Sequence, residues 1–462
     1  MNFASAFAWI KRMATGKLPR RSPSPLASGE RATKRRKIDY PPLTPDDYRN
    51  GVMLAPMVRS GALPTRLFSL KHGAKLVWGP EIVDKAILHC ERVVNSTTGV
   101  VSYLGKSKPV FTCHPVEKPF LIYQIGSSDP EIAVQAARMV MNDVAGIDLN
   151  CGCPKPFSTH SGMGAALLSN PDLLCSILAA LRSAMPPEIS ISAKIRLLPS
   201  QEDTLKLVER IVNTGVSCLT VHCRTRDMRP RHKALVERLK EIVDFVEGMG
   251  RDVAVIENGD CVGFDDAKRI RAITGAHSCM IATAAEANPT CFSPRPYTDL
   301  ESTFIPSYLR VCKYLDNHWS STKFCASQFR GLHVEGTRAT QNTFKEGIVK
   351  GKGYDDVAAL VGAWTGEQDF AEIVRAIDAR NGRTPPVDAD PAEAASPLSL
   401  PSEASQEGAE LKTPVTNRSP DAALLRAPLG PANDARMPVP ALIAGKDVPT
   451  PTPSQADSPA GA

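Results

Sequence analysis

The stretch G-I-D-L-N, Gly146 to Asn150, sets its branched apolar residues at every second position and ends on a polar amide, the pattern of a buried strand that stops at a surface. An amphipathic stretch of helix length, Pro130 to Asn142, leads into it, and the same alternation repeats on both sides. Seven further β-rich apolar runs are Val52 to Ala55, Leu76 to Trp78, Leu121 to Ile125, Ile191 to Ile195, Cys218 to His222, Val253 to Glu257 and Cys279 to Ala282. Between them, Glu202 to Asn213 and Gly263 to Ile273 carry apolar residues at helical spacing. Strands that alternate with helices make βα units and a parallel sheet, and eight of them close into a TIM barrel, a (β/α)8 fold of the α/β class. The barrel is expected over residues 46–300.

Outside it the composition changes. Residues 301–380 mix aromatic and basic side chains in helical patterns, as in Tyr308 to Trp319 and Lys323 to Arg330, and read as a small helical domain. From residue 381 to 462 there is no Phe, Tyr or Trp, and Pro, Ala, Ser, Asp and Thr dominate. Such a segment buries too little to offset its ordering entropy and is expected to be disordered, as are residues 1–45. Residues 1–40 hold ten Lys and Arg against Glu30 and Asp39, more positive charge than the net +6 of the entire chain, so everything from Pro41 onward is slightly negative. A nucleic-acid surface on the folded part must therefore be a local patch. The run Lys34 to Lys37 fits a nuclear-import or nucleic-acid patch and equally a solvated basic arm. The first 29 residues lack acids, which keeps a mitochondrial presequence open beside cytoplasmic and nuclear placement. Twelve scattered cysteines without paired C-x-x-C motifs read as reduced thiols, and no apolar run is long enough to span a membrane.

Working residues of a TIM barrel lie at the carboxyl ends of its strands. Here strand one ends in Pro56-Met57, strand three in Gln124, strand four in Asn150 and then Cys153, strand five in Lys194 and Arg196, strand six in His222, and strand seven in Asn258-Gly259. Any one of these also suits a structural role, because strand-end amides satisfy loop backbone. Six in register point to a site. A divalent metal would need clustered carboxylates or histidines, which these ends do not offer, so no metal is expected. Amides, an amine and an imidazole suit a flavin instead, with Lys194 near the pyrimidine edge and Gln124 and Asn150 at the ring carbonyls and imide. The loops after strands seven and eight, the usual phosphate site, read Asn258-Gly259-Asp260 and Ala282-Thr283-Ala284, small enough for close approach of backbone N–H groups.

These residues carry a family resemblance. L-A-P-M-V at Leu54 to Val58, Q-I-G-S at Gln124 to Ser127, D-V-A-G-I-D-L-N-C-G-C-P-K at Asp143 to Lys155 and K-I-R at Lys194 to Arg196 resemble the tRNA-dihydrouridine synthases. V-H-C-R at Val221 to Arg224 and E-N-G-D at Glu257 to Asp260 continue the match in order. S-G-M-G-A-A-L-L at Ser161 to Leu168 and L-P-S-x-E-D-T at Leu198 to Thr204 are similar to the eukaryotic subgroup that modifies position 20 of the D-loop. The resemblance implies that NADPH reduces FMN, that hydride passes to carbon 6 of a tRNA uridine, and that Cys153 protonates carbon 5. A thiol with an ordinary pKa of about 8.5 is mostly protonated at neutral pH and can serve as that acid. Cys151 takes the variable position of the motif and reads as a buried small hydrophobe.

The family further implies that FMN is held by Pro56, Met57 and Val58 through backbone, by Gln124, Lys194 and His222 through side chains, and by Asn258, Gly259, Asp260, Ala282 and Thr283 around the phosphate. Many members carry an Arg where this chain has Thr283, so one phosphate cation is missing here unless Arg196 or the loop after strand six supplies it. The uridine must leave its stack to reach a flavin, which calls for a cationic mouth. Asn150, Lys155, Arg196, Arg224 and Arg226 are the expected substrate contacts, continued by Arg229, Arg231 and Lys233, with Lys313, Lys323 and Arg330 a second patch. A monomer with tRNA and NADPH as partners is expected. Two other readings are an FMN barrel that reduces a small molecule, and a tRNA-binding homologue without catalysis.

Overall fold

The computed structural model describes residues 40–106, 108–330, 345–362, 365–380 and 382–384. All eight runs read from the sequence are strands, each with its side chains packed to both sides, as parallel strands covered by helices must be. They are β1 (Val52–Leu54), β2 (Val77–Trp78), β7 (Leu121–Gly126), β8 (Gly146–Cys151), β9 (Ser190–Leu197), β10 (Cys218–Thr225), β11 (Ala254–Asn258) and β12 (Ser278–Ile281). Every neighbouring pair is parallel, and the sheet closes because β1 pairs with both β12 (Val52 opposite Cys279) and β2, which in turn pairs with β7 (Val77 opposite Leu121). The chain is a (β/α)8 barrel.

Helices return the chain between strands, and their starts follow from local chemistry. Asp129 accepts the amides of Glu131 and Ile132 to begin helix Pro130–Val140, and Ser200 accepts the amide of Asp203 to begin Gln201–Val212. Proline at the first position opens Pro171–Ala184, where it loses no helical hydrogen bond.

Between β2 and β7 lies an insertion absent from the sequence reading. A short strand, β3 (Ile82–Val83), pairs with the far end of β7 (Ile82 opposite Ile125). An antiparallel meander follows, β4 (Glu91–Val94), β5 (Val101–Leu104) and β6 (Pro109–Cys113). The meander sits on the outside of the barrel, with Phe111 edge-on to Tyr123 of β7 and Arg92 paired to Asp143 at 2.7 Å.

After β12 the chain forms helices Ile305–Tyr314, Trp319–Gln328 and Gly366–Asp378. Phe304 and Tyr308 pack on Phe68 of helix Leu63–Lys71, and Arg310 and Ser307 both hold Asp369 at 2.7 Å. The loop after β1 is bound into this contact: the Arg59 guanidinium lies 3.8 Å from the ring centre of Phe324, and the Cys325 thiol donates to the Arg59 carbonyl.

The expectations for residues 1–39 and 385–462, including the basic run Lys34 to Lys37, fall outside the described residues. Just inside them, Tyr40 packs edge-on to Phe120, and Arg383 holds the carbonyls of Pro119 and Pro41. Among the described residues, no helix is long and apolar enough to cross a membrane.

Candidate active site at the carboxyl end of the barrel

Cys153 is placed by the residue three before it. The Asn150 side-chain oxygen accepts the amides of Gly152 at 2.9 Å and Cys153 at 3.0 Å, which folds the chain back over the strand end. Arg196 Nε donates to the Gly152 carbonyl at 2.7 Å and its NH1 to the Thr225 carbonyl at 3.1 Å, tying the loop to β9 and β10. The amide of Ala165 donates to the Cys153 carbonyl at 2.9 Å. Gly164 lies so close that a Cβ there would stand 2.6 Å from that carbonyl oxygen. The two thiols of the motif part company: Cys151 is buried in the core and Cys153 is half-buried and open at the mouth. Burial, then the neighbouring Glu81 carboxylate, push the Cys153 thiol up to about 11.

The floor beneath it comes from register. Asn150 stands opposite Lys194, and His222 opposite Asn258 and Arg196, so one layer of side chains points into the mouth. Asp148, fully buried, accepts from Gln124 Nε2 at 2.8 Å and from Ser192 Oγ at 2.6 Å. Gln124 is thereby oriented to accept from Asn150 Nδ2 at 3.3 Å. Lys194 Nζ donates to Asn258 Oδ1 at 2.8 Å, and Asn258 Nδ2 donates to the Met280 carbonyl at 2.8 Å. The protein crowded around the ammonium brings Lys194 down to about 8, with Arg196 adding to the effect. Burial and the cations Lys194, Arg196 and Arg224 hold His222 far below its ordinary value, so it is a neutral imidazole.

On the far side, Gly259 and Asp260 turn the loop after β11 through positive φ, +150° and +62°. A Cβ at Gly259 would come 2.9 Å from the Cβ of Ala234. Asp260 is anchored by Arg224 NH2 and by the Ala234 amide at 2.8 Å. Ala282 precedes the short helix Thr283–Ala287, with Thr283 exposed. Pro56 and Met57 are half-buried at the rim and Val58 is exposed. These groups could hold a flavin. A desolvated cation with a neutral amide as its hydrogen-bond partner favours an anionic ring edge, and Gly259 leaves backbone where a side chain would block a phosphate.

The cations divide into two kinds. Lys155, Arg226, Arg229, Arg231 and Lys233 are exposed. Arg224 is turned inward, 5% exposed, with its guanidinium on Asp260 and on the carbonyls of His232 and Pro230. It braces the loop after β11, where the sequence reading expected a contact to tRNA. Arg196 is likewise buried. In the second patch, Lys323 donates to the Gly351 carbonyl, Lys313 pairs with Asp355, and Arg330 is exposed.

Three features escaped the sequence reading. Glu81, buried beside Cys153, accepts from Ser158 Oγ at 3.1 Å. Phe157 stands 49% exposed next to Lys155, an apolar surface at the rim of the mouth. Behind the loop after β11, Glu257, Cys261 and Cys279 lie together and buried, near enough to share an ion. Their thiols donate instead to the carbonyls of Gly263 and Ala267, and burial pushes the Glu257 carboxyl well above its ordinary value. A cavity of about 780 Å³ lies at the other end of the barrel, lined by Leu43, Val116, Asn142 and Ile189 among others, away from the converging side chains.

Comparison with known proteins gives these positions a context. The sequence model described as dihydrouridine synthase (Dus) matches residues 53–356. The chain is 49% identical over 308 residues to a tRNA-dihydrouridine(20) synthase of Schizosaccharomyces pombe, an alignment covering 65% of this chain and 64% of that protein. It is 43% identical over 301 residues to a tRNA-dihydrouridine(20) synthase of Saccharomyces cerevisiae, covering 61% and 77%. A tRNA-dihydrouridine(20a/20b) synthase-like protein of Homo sapiens is 31% identical over 250 residues, covering 54% and 72%. The chain thus spans less than two thirds of the length of its fission-yeast relative.

Proposed function

Because the chain belongs to the dihydrouridine synthase family, we propose that it reduces the carbon 5–6 double bond of a D-loop uridine in tRNA, at position 20, with Cys153 as the proton donor. What carries this reading is the half-buried thiol of Cys153, kept protonated and open at the mouth, above a floor of Gln124, Asn150, Lys194 and His222. FMN, reduced by NADPH, would supply the hydride for carbon 6 when bound there.

The chain's own residues do the rest. Lys194, Gln124 and Asn150 would hold the ring's pyrimidine edge, and Pro56, Met57 and Val58 would line its flank. Gly259, with Asn258, Asp260, Ala282 and Thr283, leaves main chain for the phosphate. Neutral His222 offers a hydrogen bond without competing as a second acid. An extruded uracil entering the mouth meets the Cys153 thiol from above, and the Sγ–H proton passes to carbon 5. Lys155, Arg226, Arg229 and Arg231 supply the cations that phosphates require, and Phe157 a face on which a base stacks.

The test joins purified protein with cells. The protein should carry a releasable flavin, and tRNA from cells lacking it should lose dihydrouridine at position 20. Cys153→Ala should keep the flavin and lower the modification rate by about 10²- to 10⁴-fold, the ordinary worth of a positioned acid. A colourless protein that takes up no FMN, or full rescue by Cys153→Ala, would refute the assignment.

A further inference from the structure

Glu81 owes its place to the insertion that the eightfold pattern does not contain. β3 pairs with the end of β7, Val83 opposite Gly126, and this swings residue 81 over the mouth. Glu81 is 8% exposed, and its carboxyl accepts from the hydroxyl of the fully buried Ser158 at 3.1 Å. Ser158 and Cys153 are packed on the same point: a Cβ at Gly164 would lie 2.4 Å from Ser158 Oγ and 3.1 Å from Cys153 Cβ. A Cβ at Gly126 would lie 2.8 Å from Glu81 Oε1. Carboxyl, hydroxyl and thiol therefore share one small pocket. The other elements around it contribute the neutral Asn150 from β8 and the Arg196 guanidinium from β9, the latter held on the Gly152 carbonyl.

We propose that Glu81 is a positioning residue for the reaction: with Ser158 it holds Cys153 as a thiol and returns a proton to its sulfur after each turnover. This rests on the reading of Cys153 as the acid. In the turnover the Sγ–H bond breaks as the carbon 5–H bond forms, and the double bond is consumed with the hydride that a bound, reduced flavin would supply to carbon 6. A thiolate remains, and a second substrate cannot be protonated until it is quenched. The Glu81 carboxylate takes a proton from solvent and passes it to Sγ, so the thiol is restored and the carboxylate ends as it began. No oxidant or reductant beyond NADPH is required. Burial raises the Glu81 carboxyl above its ordinary value, which favours holding the proton to be returned.

Full-length Glu81→Gln protein tests this in two ways. The first is the pH dependence of Cys153 alkylation by iodoacetamide, followed on the peptide by mass spectrometry, which needs neither cofactor nor tRNA. Its midpoint should fall by about one pH unit once the carboxylate is gone. The second compares rates with enzyme in excess and with tRNA in excess. A single turnover by pre-reduced enzyme should stay within about threefold of wild type, whereas steady-state turnover should drop about tenfold or more, with Glu81→Asp restoring part of it. An unmoved alkylation midpoint, or equal losses in both regimes, overturns the proposal. Should the Gln variant not fold, Ser158→Ala carries the same two measurements. Full activity of Cys153→Ala would sink the acid assignment instead, while the alkylation result would still report whether Glu81 governs the thiol.

Discussion

Cys153 and Cys151 differ by two positions in sequence, yet one is half-buried and the other fully buried, because Asn150 holds the amides of Gly152 and Cys153 and folds the chain back after the strand. The pH consequence follows with its sign. An acid works while it is protonated, and a raised folded value extends that range upward, so the acid function of Cys153 should be lost only as pH rises through about 11. The midpoint of Cys153 alkylation, which reads the thiol and not the Lys194 ammonium, should therefore lie well above that of an ordinary thiol. A midpoint already near pH 8.5, the region of a free cysteine, would contradict the environment described. At this scale much was legible, since strand-end residues inherit their place from period and register. Arg224 was not, because its inward turn depends on Asp260, a partner brought near only by the adjacent strand. Glu81 was not either, since it sits before a two-residue strand with no repeat around it.

Elements were read where they repeat and missed where they do not. All eight barrel strands were visible as apolar runs between helical stretches, but all four residues of β4 are exposed and give no alternation to detect. The loop after β11 was recognised from its glycine, and the structure shows why that residue is required. At Gly259, φ is +150° and any side chain would strike Ala234. Gly259→Ala should cost about 1–3 kcal/mol of stability and weaken flavin binding in parallel, measured by thermal unfolding and by cofactor titration. An alanine variant with unchanged flavin affinity would show that the loop's path is immaterial to the cofactor.

Over the whole molecule, charge is local, as the near-neutral composition beyond Pro41 requires. Arg226 and Arg229 are exposed in the loop after β10, at the end of the barrel that carries Cys153. Replacing both by alanine should raise the Kd for tRNA and flatten its dependence on the logarithm of salt concentration by about 1.4–1.8, roughly 0.7–0.9 for each cation removed. An unchanged slope would place the RNA elsewhere. The helices that follow the barrel grip the loop after β1 through Arg59, Phe324 and Cys325, and that same loop carries Pro56, Met57 and Val58. A flavin held as proposed would thus feel pressure applied to those helices. With that flavin in place, an RNA settling there should shift its absorbance, which would make the chromophore a built-in gauge of occupancy that no attached dye has to supply.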